Sequence, residues 1–202
     1  TTIGAIGNNT DPEAPATFLT QEDVQEIVAY ANNQYISIFP EIDMPGHMGA
    51  AIRAYPELNH PKDIHNKQYA LRGDAPARTF CKTVLTEINE LFDSEYIHIG
   101  FDEVNYGAKT QLYTDAELLD FATEITTFIK EDLKKTPIVW DDVFMHGFNE
   151  KDTVVQWWRY GKNYWWKRMK HTVDEALNQR QQPFILSPAY WTYFDMKNLR
   201  GG

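Results

Sequence analysis

The sequence predicts an α/β protein of the (β/α)8 TIM-barrel type, with about five to six of the βα units in this chain. Three observations carry that expectation. Short β-rich runs alternate with helical patterns, as in a parallel sheet covered by helices. The strand-like runs are apolar with little alternation, which suits strands buried on both faces. Polar and aromatic residues then gather where each run ends. Glu41, Asp43 and His47 follow the first run, and Asp102 and Glu103 follow the second. Trp140, Asp141 and Asp142 end the third, Trp158 and Arg159 the fourth, and Tyr190, Tyr193 and Asp195 follow the fifth. Strand carboxyl ends form the catalytic face of a barrel and the ligand edge of a doubly wound sheet. No Gly-rich phosphate loop follows any run, which weighs against a nucleotide-binding sheet.

The elements follow in order. Residues 1–19 are rich in Asn, Pro, Ala and Gly and read as a loop. Thr20 is placed as an N-cap, with Asp23 three positions on, and Val24, Ile27, Val28 and Ala31 recur at helical spacing. Residues 35–39 (YISIF) read as a strand ending at Pro40, with "EIDMPGH" as the loop after it. A helix is expected over 76–92, with Phe80, Val84, Ile88 and Leu91 on its apolar face. Strand 96–100 precedes a helix over 114–134, built on Leu118, Leu119, Ala122, Ile125, Phe128 and Ile129. Strands at 137–140 and 153–157, a Trp-rich loop, a helix at 172–180 and a strand at 184–187 complete the chain. The whole of 1–202 reads as one partial barrel domain. Five strands are counted, whereas a full barrel has eight and typically about 250 residues. The chain therefore looks like the middle of a barrel.

Composition narrows the function. The 202 residues suffice for one sizeable core, and 43% are hydrophobic. A net charge of −10 argues against a nucleic-acid partner. No apolar run approaches the roughly 20 residues of a membrane span, and no signal-peptide pattern is evident. The chain opens Thr1-Thr2-Ile3 without Met, as expected of one processed or cut from a longer one. The single Cys81 excludes an internal disulfide and a Cys-rich zinc site. Asn8-Asn9-Thr10 is a glycosylation sequon of a kind that often arises by chance. Six Trp and eleven Tyr cluster late in the chain, several beside carboxylates. Aromatic faces beside acids suit a sugar, whose C–H faces pack on rings while its hydroxyls meet carboxylates.

The stretch 97–104, "IHIGFDEV", ends a buried strand in two adjacent acids. Glycoside hydrolysis ordinarily uses two carboxyls flanking the scissile bond, about 5–5.5 Å apart for retention and about 6.5–9.5 Å for inversion. Neighbouring strand residues point to opposite sides and are poorly placed to straddle one carbon. Either another strand supplies the second acid, or the substrate supplies its own nucleophile. A 2-acetamido sugar can do the latter, its carbonyl oxygen closing an oxazolinium ring. The protein then needs one acid, plus one carboxylate to orient the acetamido nitrogen and balance its charge.

At these residues the chain resembles family 20 of the glycoside hydrolases, the β-N-acetylhexosaminidases. "IHIGFDEV" resembles the family's His-x-Gly-x-Asp-Glu signature. "FPEIDMPGHMGAAIRAYPEL" resembles its loop after the third barrel strand, and "VVQWWRYG" and "LSPAYWTYFDMK" its sixth- and seventh-strand segments. The resemblance spans roughly residues 18 to 200. It implies Glu103 as general acid/base, Asp102 as the carboxylate that orients the acetamido group, and Tyr193 as donor to the acetamido oxygen. It implies His47 in a polar relay supporting Glu103. On the substrate side it implies Trp140 and Trp158 as walls of the acetamido pocket and Asp195 as a hydroxyl ligand. Asp142 is placed to contact the sugar, and Asp43 belongs with this group, behind the residues that touch it. His98 reads as a structural core histidine. Asp43, His47, Asp102 and Glu103 are also metal-ligand types, but no His-Glu-x-x-His pattern is present, and neither metal nor cofactor is expected.

The implied activity is removal of terminal GlcNAc or GalNAc from an oligosaccharide or glycoconjugate, in a secreted, periplasmic or lysosomal setting. Phe101 departs from the signature, where a small residue is usual, and is expected to crowd the barrel interior or the subsite. The family's sugar-gripping Arg, the acidic partner of His47 and the closing strands have no match here. Self-association or a missing remainder of the barrel is the expected remedy. The alternatives are a non-catalytic fragment with residual carbohydrate binding, and a barrel glycosidase of neutral sugars with a conventional carboxylate pair.

Overall fold

The computed structural model describes residues 18–64, 69–105, 111–159, 178 and 181–193. Trp165-Trp166, Asp195 and all but one residue of the helix expected over 172–180 lie outside the described residues.

Five strands form one parallel sheet: β1 (Glu41–Met44), β2 (Tyr96–Gly100), β3 (Thr136–Trp140), β4 (Val154–Trp157) and β5 (Phe184–Leu186). Their order in space is their order in the chain. A doubly wound sheet reverses order at a switch point. This sheet does not, so its strands follow one another as staves of a (β/α)8 wall. Helix α1 (Gln21–Asn33) precedes β1. α2 (Gly49–Ala54), a 3-10 turn at Pro56–Leu58 and α3 (Ala75–Leu91) lead to β2. α4 (Asp115–Glu131) leads to β3, α5 (Asp141–Met145) to β4, and α6 (Ala189–Thr192) follows β5.

The helix starts have local causes. Thr20 Oγ1 accepts from the Asp23 N–H at 3.1 Å, and the Asp23 carboxylate accepts from the Thr20 N–H at 2.8 Å. Thr114 and Glu117 repeat this capping box at the start of α4. Two otherwise unpaired donors are satisfied at each end. α3 carries Pro76 in its first turn, where no helical hydrogen bond is lost.

Two sequence expectations shift. The first strand lies at Glu41–Met44, inside the segment read as loop, and not at 35–39. Tyr35 is left-handed (φ +59°) and Ile36 N–H still donates to Ala31 O at 3.0 Å, so this stretch carries the chain off α1. Pairing begins at Pro40, whose carbonyl accepts from His98 N–H at 2.9 Å. The register Glu41↔His98 sets residue 39 against Tyr96, the first residue of β2. Residues before it have no strand to pair with, whatever their propensity. In α3 the buried line is Ala77–Cys81–Leu85, and Phe80, Val84, Ile88 and Leu91 flank it half-buried. The wide apolar face let the larger side chains pass for its centre.

The core lies between sheet and helices. Ile97, Ile99, Val139 and Val155 from the strands meet Leu85, Phe121, Ala122, Ile125 and Ile129 from α3 and α4. With period two, the intervening residues His98, Ile138 and Trp140 face the other side of the sheet.

β2 ends in an abrupt turn. Gly100 (φ +69°), Phe101 (φ +70°) and Glu103 (φ +52°) are all left-handed. At Gly100 the chain also passes against β1: an added Cβ would fall 1.8 Å from Asp43 Oδ1 and 2.9 Å from Asp43 Cα. Gly100→Ala is therefore expected to lose at least about 2 kcal/mol of stability, from left-handed strain plus the clash. Denaturant unfolding reads this directly, and an unchanged midpoint would contradict the packing described.

Candidate active site

The turn after β2 decides which way three side chains point. Phe101 is fully buried on the helix side, its ring edge-on to Phe121 of α4 at 5.8 Å between centroids. Its N–H donates to Met44 O at 3.0 Å and to Asp43 Oδ1 at 3.2 Å. The ring expected to crowd the barrel interior is thus part of the outer core. The left-handed backbone turns it away, and the subsite is spared.

The same turn corrects the expectation that two neighbouring acids must point apart. That rule holds inside a strand, and Asp102 and Glu103 lie beyond it. Both converge on one imidazole. His47 Nε2 lies 3.4 Å from Asp102 Oδ2 and 3.8 Å from Glu103 Oε2. His47 is itself left-handed (φ +54°) in the loop after β1, with its side chain 48% exposed against 21% for Asp102 and 28% for Glu103. The cluster therefore opens to solvent through the histidine. The relay expected to support Glu103 sits closer to Asp102.

Asp43, on β1, lies behind this pair. Its carboxyl is hydrogen-bonded to Asp102, and donor atoms of Asp43, His47 and Asp102 fall within 4.8 Å of one another. Burial and then the Asp102 charge push the Asp43 carboxyl far above the carboxylate range. Asp43 is thus protonated at neutral pH and donates to its neighbour. For Asp102, burial pushes upward, but the hydrogen bonds from His47 and Asp43 outweigh it and hold the group below its ordinary value. Glu103 moves the other way, raised by burial and then by the charges of Asp142 and Asp102. The hydrogen bond to Asp102 raises His47. The geometry of Asp43, His47 and Asp102 would also admit a cation, which would require Asp43 to lose its proton.

A second cluster lies under Glu103. Asp142, at the start of α5, is buried, and Arg159 Nη2 lies 2.6 Å from its Oδ1. Asp142 accepts from Glu103 N–H at 3.1 Å and from the Trp158 indole N–H at 2.8 Å. Asp141 accepts from Trp158 N–H at 3.2 Å and pairs with Arg159 Nη1 at 3.1 Å. Trp158 stacks on Tyr193, with centroids 6.3 Å apart and planes 12° apart. Tyr193 follows α6 and is 36% exposed. Trp140 donates from its indole to Glu41 Oε1 at 2.8 Å and packs on His98 at 4.9 Å. His98 Nδ1 accepts from Gly100 N–H at 3.0 Å, and burial lowers its pKa to about 4, so it is a neutral strut.

The structure thus brings Asp43, His47, Asp102 and Glu103 together, and links Glu103 through Asp142 to Trp158 and Tyr193. Asp195 lies outside the described residues. Glu41, Asp141 and Arg159 were given no role from sequence. Asp141 and Arg159 follow the carboxyl ends of β3 and β4, whereas Glu41 opens β1 and followed only the run read as a strand from sequence.

Five parallel strands in chain order, with acids and aromatic rings gathered at one edge, form part of a (β/α)8 barrel wall and its ligand edge. The comparisons make the family explicit. The model of the glycosyl hydrolase family 20 catalytic domain matches residues 1–201, and the chain belongs to that family. It is 34% identical over 205 residues to a beta-hexosaminidase of Vibrio furnissii, covering 89% of this chain and 31% of that one. A beta-hexosaminidase of Porphyromonas gingivalis is 32% identical over 178 residues, covering 78% and 23%. The GH20 beta-N-acetylhexosaminidase of Streptomyces coelicolor A3(2) superposes with a TM-score of 0.80 at 28% identity. That match covers 99% of this chain and 40% of the solved one. The N-acetyl-beta-hexosaminidase of Streptomyces plicatus, solved with Thio-NAglucal, gives 0.79 at 27%, covering 99% and 39%. The chain thus spans about a third of the first relative's length and two fifths of these structures.

The proton on Asp43 makes a stability prediction. Its folded pKa is raised, so the favourable contribution of protonation is fully present below the unfolded value near 3.8 and is lost as pH rises toward the folded value. Asp43→Asn is neutral at every pH and can still donate to Asp102. The variant should match the parent near pH 3.5 and exceed it in unfolding midpoint at pH 7.5. A gap that stays flat with pH, or favours the parent at pH 7.5, would contradict a protonated Asp43.

Proposed function

We propose that this chain carries the catalytic centre of a retaining β-N-acetylhexosaminidase that removes terminal non-reducing GlcNAc or GalNAc by substrate assistance. One observation carries the reading. Two adjacent carboxyls converge on one imidazole, and their surroundings shift their pKa values in opposite directions. Titratable neighbours driven apart in this way divide into acid and base roles.

Asp102, ionised, accepts the acetamido N–H and holds the carbonyl oxygen toward the anomeric carbon. Tyr193, beside Trp158, donates to that oxygen. Glu103, protonated, gives its proton to the glycosidic oxygen as the C1–O bond breaks and the acetamido oxygen bonds to C1. Asp102 then balances the positive oxazolinium. Water attacks C1 from the vacated side, Glu103 takes its proton, and the ring opens with the original configuration restored. Trp140 and Trp158 supply apolar walls, and Asp195 a hydroxyl ligand. His47 and the protonated Asp43 keep Asp102 charged.

The test is hydrolysis of a chromogenic β-N-acetylglucosaminide beside the matching β-glucoside. Turnover is expected for the acetamido sugar alone, and Glu103→Gln should lower it by about 10²–10⁴-fold. The sign of the pH dependence follows from the two shifts. Activity should fail on the acid side below the ordinary Asp value, as Asp102 is protonated. On the basic side it should fail above the ordinary Glu value, as Glu103 loses its proton. Equal turnover of both sugars, or full activity in Glu103→Gln, would overturn the proposal.

A further inference from the structure

Asp142 is where the site's two halves meet. Among the described residues, its carboxylate meets three donors: the Glu103 backbone N–H, the Trp158 indole N–H and the Arg159 guanidinium. Burial raises its pKa, and Arg159 and then the two N–H donors oppose that rise by favouring the charged form. It is buried and both its oxygens are engaged, which suits a positioning role rather than the sugar contact expected from its sequence position. We propose that Asp142 is a positioning residue that fixes the left-handed backbone of Glu103 and the ring of Trp158 to one buried carboxylate.

A left-handed Glu is a strained conformation that persists only where its surroundings over-determine it. The 3.1 Å bond from Glu103 N–H to Asp142 Oδ1 supplies that restraint from α5, an element separate from the turn itself. The 2.8 Å bond from Trp158 to Asp142 Oδ2 sets the rotation of the ring on which Tyr193 stacks. One carboxylate thereby fixes the acid that protonates the leaving oxygen relative to the wall and the donor that hold the acetamido group. Arg159 balances the charge, and Asp141 holds Arg159 from its other side. The charged and titratable groups facing Glu103 are Asp142, Asp102, His47 and Arg159, with the Asp142 carboxylate the strongest of the four. It therefore helps keep Glu103 protonated as well as placed.

This inference rests on the hydrolase reading for its catalytic consequence, but the geometry can be tested without turnover. In the unmutated chain, the Glu103 amide and the Trp158 indole N–H should both be protected from hydrogen exchange by NMR, although both residues border solvent. Fast exchange at either would overturn the proposal whether or not the chain is active. Asp142→Asn removes the charge and replaces one acceptor oxygen by a donor, so one of the two N–H groups must lose its partner. The variant should lower kcat by about 10²-fold, the cost of a small misplacement of a reacting group, with a smaller change in KM. Its basic limb should move to lower pH, because Glu103 loses its strongest repulsive neighbour. A purely structural role would lower the amount of folded protein and leave that limb in place. An active variant with parental kcat and an unmoved limb would contradict the inference. If the variant does not fold, the exchange measurement on the parent chain decides alone. If the parent shows no turnover of the acetamido sugar, the hydrolase reading fails, and protection of the two N–H groups still stands or falls separately.

Discussion

The left-handed turn at Gly100, Phe101 and Glu103 is the constraint on which the site depends. In an extended strand, alternate residues face opposite sides, and two adjacent acids would serve two different surfaces. The turn sends Phe101 outward into the core against Phe121 and leaves Asp102 and Glu103 facing the same histidine. Each left-handed non-glycine residue costs of order 1–3 kcal/mol. Burial of the Phe101 ring and the sharing of its N–H between the Met44 carbonyl and the Asp43 carboxyl of β1 offset part of that cost. Gly100 makes the turn possible, because only a residue without Cβ fits against Asp43.

Once the acids are side by side, they must not share one fate. A pair in the same surroundings would repel and lose its distinction. Here Asp102 is held by His47 in front and a protonated Asp43 behind, whereas Glu103 meets two negative charges and partial burial. Asp43 can lend a proton because burial and the Asp102 charge prevent it from ionising. That arrangement works against stability at neutral pH, since an ordinary Asp would be charged in the unfolded chain. The site spends fold stability on keeping one carboxylate charged, as functional sites commonly do.

Much of this was legible in the sequence, for definite reasons. β2 was read with its observed bounds, because an apolar run between a polar stretch and a loop has little freedom of register. Thr20 and Asp23 marked the start of α1 because a capping box is local chemistry. β1 was misplaced because strand formation depends on the partner: residues 35–38 have the propensity but lie ahead of β2's first residue. The burial of Phe101 could not be read, since a positive φ at a bulky residue has no sequence signature. The roles of Arg159 and Asp142 depended on contacts between β2, α5 and the end of β4, which no local pattern encodes. The resemblance grouped Asp102, Glu103 and His47, and the structure brings those three together with Asp43.

The pKa values of Asp102 and Glu103, adjacent in the chain, are shifted in opposite directions. Site-resolved carbon NMR of their side-chain carboxyls across pH tests this most directly, and it needs neither substrate nor variant. Asp102 should titrate with a midpoint below the ordinary 3.8, and Glu103 with one above the ordinary 4.5. Two unshifted midpoints, or an Asp102 that titrates above Glu103, would contradict it.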